Sequence, residues 1–300
     1  MNMAHPAAVE KRSVAEVLSL YWQMTRPRVL ALVLFTGLPV FAMHQHGLPS
    51  LAVTLHVLFG TALAGAACSV LNAYVERDTD ARMARTQQRP LPVASIAPDH
   101  ALGYGVFLSV ASTISLYLSG GWVAAAVGLG SILFYVFVYT MWLKPRTPQN
   151  IVIGGAAGAT TPLIADAALT GGIGWGSLML FAIIFFWTPP HFWAIALFRK
   201  DDYAAAGIPM MPNVVGDQPT RWRMLAYTLL LIPVSLAPVA IDYMGWIYGA
   251  AAVLLGLWFA WRNVGVLRAQ DVRVDRKFFM ASNLYLMALF GAMIIDVAVL

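Results

Sequence analysis

Apolar runs long enough to cross a bilayer, repeated along the chain, fix what this sequence can fold into. A spanning helix needs roughly 20 mostly apolar residues. Such runs fall at about 29–46, 51–75, 100–119, 122–142, 151–170, 175–198, 223–241, 245–262 and 278–300. Short turns such as HQHGLPS and SGGW join some of them, and longer charged loops join others. In lipid the backbone must satisfy its own hydrogen bonds, so each run is read as a helix. The expected fold is an all-α integral membrane protein. It is a bundle of nine transmembrane helices in a single domain over 29–300, preceded by a cytoplasmic segment, 1–28. Only 11% of the residues are charged, against about a quarter in soluble proteins, which excludes a soluble globular class.

The charges orient the bundle. With the N-terminus in the cytoplasm, nine crossings put all 19 lysines and arginines on one side. That is a strong positive-inside pattern, and it places the C-terminus outside. Orientation accounts for the net charge of +5, so no nucleic-acid partner is expected. The first 28 residues lack a compact apolar core, so no cleavable signal peptide is expected, and they hold Glu10 and Glu16, unlike acid-poor mitochondrial presequences. A bacterial inner membrane is the expected location, with the lipid bilayer as surrounding solvent. The single cysteine, Cys68, lies inside an apolar run. It excludes a disulfide framework and a cysteine-based metal site and reads as a packed thiol. Small-residue stretches GTALAGAAC (60–68) and GGAAGATTP (154–162) suit close helix packing.

Against this background the stretch NAYVERDTDARMARTQQRPLP, 72–92, stands out. Asn72, Glu76 and Asp80 are spaced i, i+4, i+8 and share one face if the second span stays helical to its inner end. Asp78 points elsewhere on an ideal helix and joins them only if the helix ends there. Carboxylates with an amide oxygen are hard-oxygen ligands suited to Mg2+, an ion that is usually shared with substrate phosphates. Arg85 and Arg89 follow, placed to grip phosphate oxygens. The plainer alternative is a solvated loop with internal ion pairs, which are common and cheap. That alternative is weakened because the face begins at Asn72, inside the apolar run, where an unpaired polar group is costly.

A second cluster, FRKDDYAAAGIPMMP at 198–212, closes the sixth run. Asp201 and Asp202 sit at the inner edge beside Arg199 and Lys200. A stop signal with orienting cations explains it when taken alone. Two acidic clusters facing one cavity could instead hold two Mg2+ ions on a diphosphate. A substrate with a diphosphate head and a lipid tail belongs where water meets hydrocarbon. Ionising its allylic C–O bond leaves a diphosphate, which metals neutralise, and a carbocation, which needs a dry aromatic pocket. The competing class is a transporter, but transporters place ionisable groups near mid-membrane, and here the acids lie at the inner edge.

At these residues the chain resembles the intramembrane UbiA-type prenyltransferase superfamily, whose first acidic motif reads Asn-x-x-x-Asp-x-x-x-Asp. Here Glu76 takes the middle position. The strings QMTRPRVLALVLFTG (23–37), RTQQRPLP (85–92), LKPRTPQNIVIGGAAGA (143–159), WTPPHFWAIALF (187–198) and DDYAAAGIPMMP (201–212) narrow the likeness to the branch that farnesylates protohaem IX. A quinone-precursor prenyltransferase is the alternative inside the superfamily. The stretch PLIADAAL (162–169) departs from that branch, where a Gly-Trp pair is expected. The resemblance implies farnesyl diphosphate and haem b as substrates, with haem O and diphosphate as products. It implies Mg2+ held by Asn72, Glu76 and Asp80, with Asp78, and a second ion at Asp202, with Asp201. It implies diphosphate contacts from Arg85, Arg89, Lys144 and Lys200, with Tyr203 assisting. Haem O would pass to a haem A synthase or a terminal oxidase.

Haem iron favours histidine, and of six histidines only His191 lies deep within a run, beside Trp187, Pro189, Pro190 and Trp193. It is the candidate haem contact, against a hydrogen-bonded core histidine. His44, His46 and His56 lie toward the outer face. His5 and His100 are expected in water. Asp166 and Asp296 fall near outer ends of spans, where pairing or snorkelling suffices.

Overall fold

The structure, a computed structural model, describes residues 13–43 and 49–299. His5, His44 and His46 lie outside the described residues. Among those described, every regular element is a helix and there is no strand.

Helix α1 (Val14–Met24) opens on a capping box, with Ser13 Oγ accepting from the Glu16 N–H and the Ser13 N–H donating to the Glu16 carboxylate. Val14, Leu18 and Trp22 remain exposed along it. At Arg26 the backbone enters the left-handed region, φ 54°, and α2 (Pro27–Phe35) and α3 (Leu38–Ala42) continue at 46° to α1. Helix α4 (Leu51–Val75) is followed by the single turn α5 (Arg77–Asp80). Helix α6 (Pro98–Leu133) runs on as a π-helix over Phe134–Leu143. Then come α7 (Asn150–Gly158), α8 (Thr161–Thr170), α9 (Trp175–Phe198), the short α10 (Lys200–Ala205) and α11 (Met211–Val215), and finally α12 (Asp217–Ala240), α13 (Trp246–Ala269) and α14 (Val272–Val299).

Seven described helices are long and apolar enough to cross a membrane, or eight if the bent pair Val14–Met24 and Pro27–Ala42 counts as one span. The protein is therefore a multi-pass membrane protein. This count differs from the nine apolar runs chiefly over Pro98–Leu143, a single 46-residue stretch that contains two of them. Gly121 within it has φ 73° and ψ −172°. A Cβ on Gly128 would lie 2.4 Å from Leu116 Cδ1, yet residues twelve apart on a straight helix are separated by about 18 Å. The chain thus folds back at Gly121, a turn that glycine permits and other residues resist.

Small residues set the closest contacts, as expected of membrane helices. Gly60 of α4 meets Leu116, and Gly105 of α6 meets Leu71. Helix α9 sits at the centre against α7, α8, α12 and α14, and its Trp187, Trp193 and Leu180 are buried in the largest core cluster. The two intramembrane acids are paired. Asp166 accepts from the Gly174 N–H and the Ser177 hydroxyl, and Asp296 accepts from the Gly245 and Tyr248 N–H groups. Each carboxylate thus satisfies the open N-terminus of a helix, α9 or α13. Trp22, Trp142, Trp175 and Trp246 are exposed, as interfacial tryptophans should be.

Candidate active site

The helical pattern persists past the end of α4. The Glu76 N–H donates to the Asn72 carbonyl and the Asp80 N–H to the Glu76 carbonyl, at 2.9 and 2.7 Å. One face is therefore kept through the break at Glu76. Asn72, Glu76 and Asp80 are all buried on it, whereas Asp78 is exposed and lies against Arg77.

Each buried acid holds a cation. Asp80 Oδ2 accepts from Arg89 Nη1 at 2.7 Å, and Glu76 Oε1 lies 2.5 Å from Lys144 Nζ. Asn72 Oδ1 accepts from Arg26 Nη2 at 3.3 Å, and its amide donates to Thr140 Oγ1 at 3.2 Å. Burial, and then the Arg26 charge, push the Arg89 pKa down, with Asp80 opposing. Burial also works against the Lys144 ammonium, but Glu76 beside it prevails and lifts its pKa above the ordinary lysine value. Along this face buried acids thus meet half-buried bases.

Lys144 reaches Glu76 because of the π-helix. Its N–H bonds to the Tyr139 carbonyl five residues back, a wider turn than an α-helix makes. The same wide turn lets Thr140 donate to the Tyr135 carbonyl while meeting Asn72.

A cavity of about 270 Å³ lies over this strip, lined by Gln23, Arg26, Asp80, Arg85, Gln88 and Arg89 among others. Three arginines and one carboxylate make it an anion-receptive hollow. A second cavity of about 260 Å³ is mainly apolar and is lined by Leu30, Cys68, Tyr135, Tyr139, Trp187 and His191 among others.

The second acidic cluster does not line the hollow that holds Asp80. It connects through Tyr203, which is buried with Met83, Tyr139 and Ile208 in one apolar cluster. Asp202 keeps its Oδ2 buried without a hydrogen bond, with Arg199 3.7 Å away. Asp201 is exposed. Lys200 turns away from both clusters to Asp217, at 2.7 Å. Among the described residues no three His, Cys, Asp or Glu side chains converge as a ready-made metal cage. The oxygen donors fit Mg2+ on other grounds: a buried face of two carboxylates and an amide, and an orphaned carboxylate oxygen on Asp202. That is the sparse protein share of an ion otherwise held by phosphate.

His191 is buried in α9, stacked on Trp187 at 4.2 Å between ring centroids. Its Nδ1 lies 2.7 Å from Ser282 Oγ of α14. The Ser282 hydroxyl donates to the Phe279 carbonyl, so it accepts from His191. The proton is thereby placed on Nδ1, and Nε2 keeps its lone pair.

Sequence reasoning missed Arg26, Thr140 and Ser282. Arg26 had been counted only among the orienting cations. The signal for it was its place before Pro27, where α geometry is disfavoured and the chain had to bend.

A bundle of membrane helices with an acid–base strip above an apolar cavity defines an intramembrane enzyme of the prenyl-transferring kind. Residues 33–288 match the UbiA prenyltransferase family, and the chain belongs to that family. Among curated proteins it is 46% identical over 284 residues to the protoheme IX farnesyltransferase of Acidiphilium cryptum, covering 91% of this chain and 89% of that one. It is 47% identical over 284 residues to the enzyme of the same name from Bradyrhizobium diazoefficiens, covering 92% and 89%. Among solved structures, a digeranylgeranylglyceryl phosphate synthase superposes with a TM-score of 0.78 at 16% identity, covering 95% of this chain and all of that one. A UbiA homologue from Archaeoglobus fulgidus bound to GPP and Mg2+ superposes at 0.69 with 15% identity, covering 91% and 99%. These two likenesses speak for the fold. The protein is a prenyltransferase.

Proposed function

We propose that this enzyme transfers the farnesyl group of farnesyl diphosphate to a vinyl group of haem b. Diphosphate leaves, the farnesyl carbon bonds to the vinyl terminus, and water adds its oxygen to the other vinyl carbon and releases one proton to solvent, giving haem O. The names of relatives near 46% identity along nine-tenths of the chain support the substrates. The observation that carries the chemistry is the strip Asn72–Glu76–Asp80, buried and paired with Arg26, Lys144 and Arg89, at the mouth of a protein with an aromatic-lined cavity.

Mg2+ would be held by Asn72, Glu76 and Asp80 and, for a second ion, by Asp202, with Asp78 and Asp201 at the exposed margin. When bound, the metal neutralises charge on the departing diphosphate. Arg26, Arg85, Arg89 and Lys144 bind the same oxygens from the protein side. Tyr203 and Tyr139 wall the site from below, and Lys200 acts on it only through the fold of its own loop. The apolar cavity excludes water from the allylic cation and offers it ring faces. His191 Nε2 serves as a haem contact. The topology read here has nine crossings, counting the strand of helix folded at Gly121 twice, with the N-terminus inside a bacterial inner membrane. Haem O would be consumed by a haem A synthase or a terminal oxidase.

Purified protein incubated with haem b, farnesyl diphosphate and Mg2+ tests the reading. Farnesylated, hydrated haem detected by mass supports it. No product from haem, with product from a quinone precursor instead, overturns it.

A further inference from the structure

Building on haem as the acceptor, we propose that Arg199 and Arg276 form a clamp for the two propionates of the porphyrin. The ring then lies against the aromatic strip that α9 and α14 share, with its vinyl edge turned into the bundle.

Both guanidinium groups sit over one ring. Arg199 Cζ is 5.8 Å and Arg276 Cζ 5.6 Å from the centroid of Phe198. Phe198 lies 6.0 Å from Phe279, and Phe279 lies 4.8 Å from His191. These rings form a continuous aromatic strip from the end of α9 to the buried imidazole, and Phe192 flanks it, 5.1 Å from His191. No carboxylate of the described residues lies within 4 Å of Arg276, and Arg199 has only the loose 3.7 Å contact with Asp202. Two neighbouring cations on an aromatic strip, so weakly matched by acids, call for an anionic partner with a flat face. A porphyrin with two carboxylates on one edge has that chemistry, and arginine forks suit carboxylates.

The dimensions agree. Arg199 follows His191 by eight residues, about 12 Å along the helix axis, a distance spanned by half a porphyrin, a propionate arm and an arginine side chain together. In protohaem the vinyl groups stand away from the propionate edge. Fixing the propionates at Arg199 and Arg276 therefore turns the vinyl edge toward the cavity lined by Trp187 and Tyr139, where the allylic cation is to be met. The clamp thus selects which edge of the acceptor reacts.

The test compares haem b with its dimethyl ester, whose propionates carry no charge, by absorbance titration of the full-length protein in detergent. The Arg199→Gln/Arg276→Gln double variant is expected to bind haem b about tenfold more weakly and the ester almost as wild type does. Arg276→Lys in place of Arg276→Gln should recover part of the loss. Arg268→Gln, an exposed cation elsewhere, should do nothing. Equal losses for haem and ester, or unaltered haem affinity in the double variant, overturn the clamp. Wild-type turnover of haem with indifferent variants sinks the clamp alone; a wild-type protein that binds no haem sinks the acceptor reading with it.

Discussion

Ser282 on α14 accepts a hydrogen bond from His191 Nδ1 on α9 at 2.7 Å while donating its own proton to the Phe279 carbonyl. A residue ninety-one positions away thus decides which imidazole nitrogen is free. Groups that orient a metal-binding histidine typically contribute about 10–100-fold in affinity. His191→Ala is expected to change the visible spectrum of bound haem and to weaken binding strongly. Ser282→Ala should keep histidine ligation but lower haem affinity by about tenfold. An unaltered spectrum in His191→Ala would return this histidine to a packing role.

Asp80 is the most buried acid of the strip, and Arg89 is its partner. Asp80→Asn keeps the volume and removes the charge. Turnover should fall at least about a hundredfold, the usual scale for losing one charge-stabilising group at a reacting centre. The loss of stability should be less than the ~3–5 kcal/mol of a broken, fully buried pair, because 27% of the Arg89 side chain remains exposed. Thermal unfolding alongside a farnesyl-transfer assay separates the two effects.

Chelation makes a third test. EDTA should abolish turnover and Mg2+ should restore it. Glu76→Gln should raise the Mg2+ concentration for half-maximal rate by more than about tenfold, since losing even a group that supports a metal ligand costs that much. Full activity in EDTA would remove the metal from the reaction.

Gly154 gives a packing prediction. A Cβ there would fall 2.1 Å from Tyr139 Cδ2, whereas Gly103 has nothing within 4 Å. Gly154→Ala should displace the Tyr139 ring from the apolar cavity and cost about 1–3 kcal/mol, with reduced turnover. Gly103→Ala, on the exposed face of α6, should be neutral or slightly stabilising. Paired melting curves of the two variants decide it.

The helices were legible because hydrocarbon leaves the backbone so few options. So was the shared face of Asn72, Glu76 and Asp80, since i, i+4, i+8 spacing carries a face whenever the hydrogen bonds continue. The rest depended on bends that composition does not encode. The left-handed Arg26 swings a cation, read as mere orientation, onto Asn72. The resemblance implied Lys200 as a diphosphate contact, and no feature of the chain foretold that the turn through α11 would set Asp217 2.7 Å from it. The fold-back at Gly121, by contrast, falls where the turn SGGW was expected between the runs at 100–119 and 122–142. Ser282 was invisible because nothing in its own run shows that its hydroxyl faces α9.

The wide turn between Phe134 and Leu143 makes the site sensitive to chain length. A π-helix closes its hydrogen bonds one residue further on than an α-helix, and here that extra residue sets the rotational phase with which Lys144 leaves the segment. Deleting a single codon within 134–143 would regularise the coil and turn the ammonium by about 100°, a step set by 3.6 residues per turn. Glu76 would be left facing no countercharge, so a lesion touching no acidic motif would silence the enzyme.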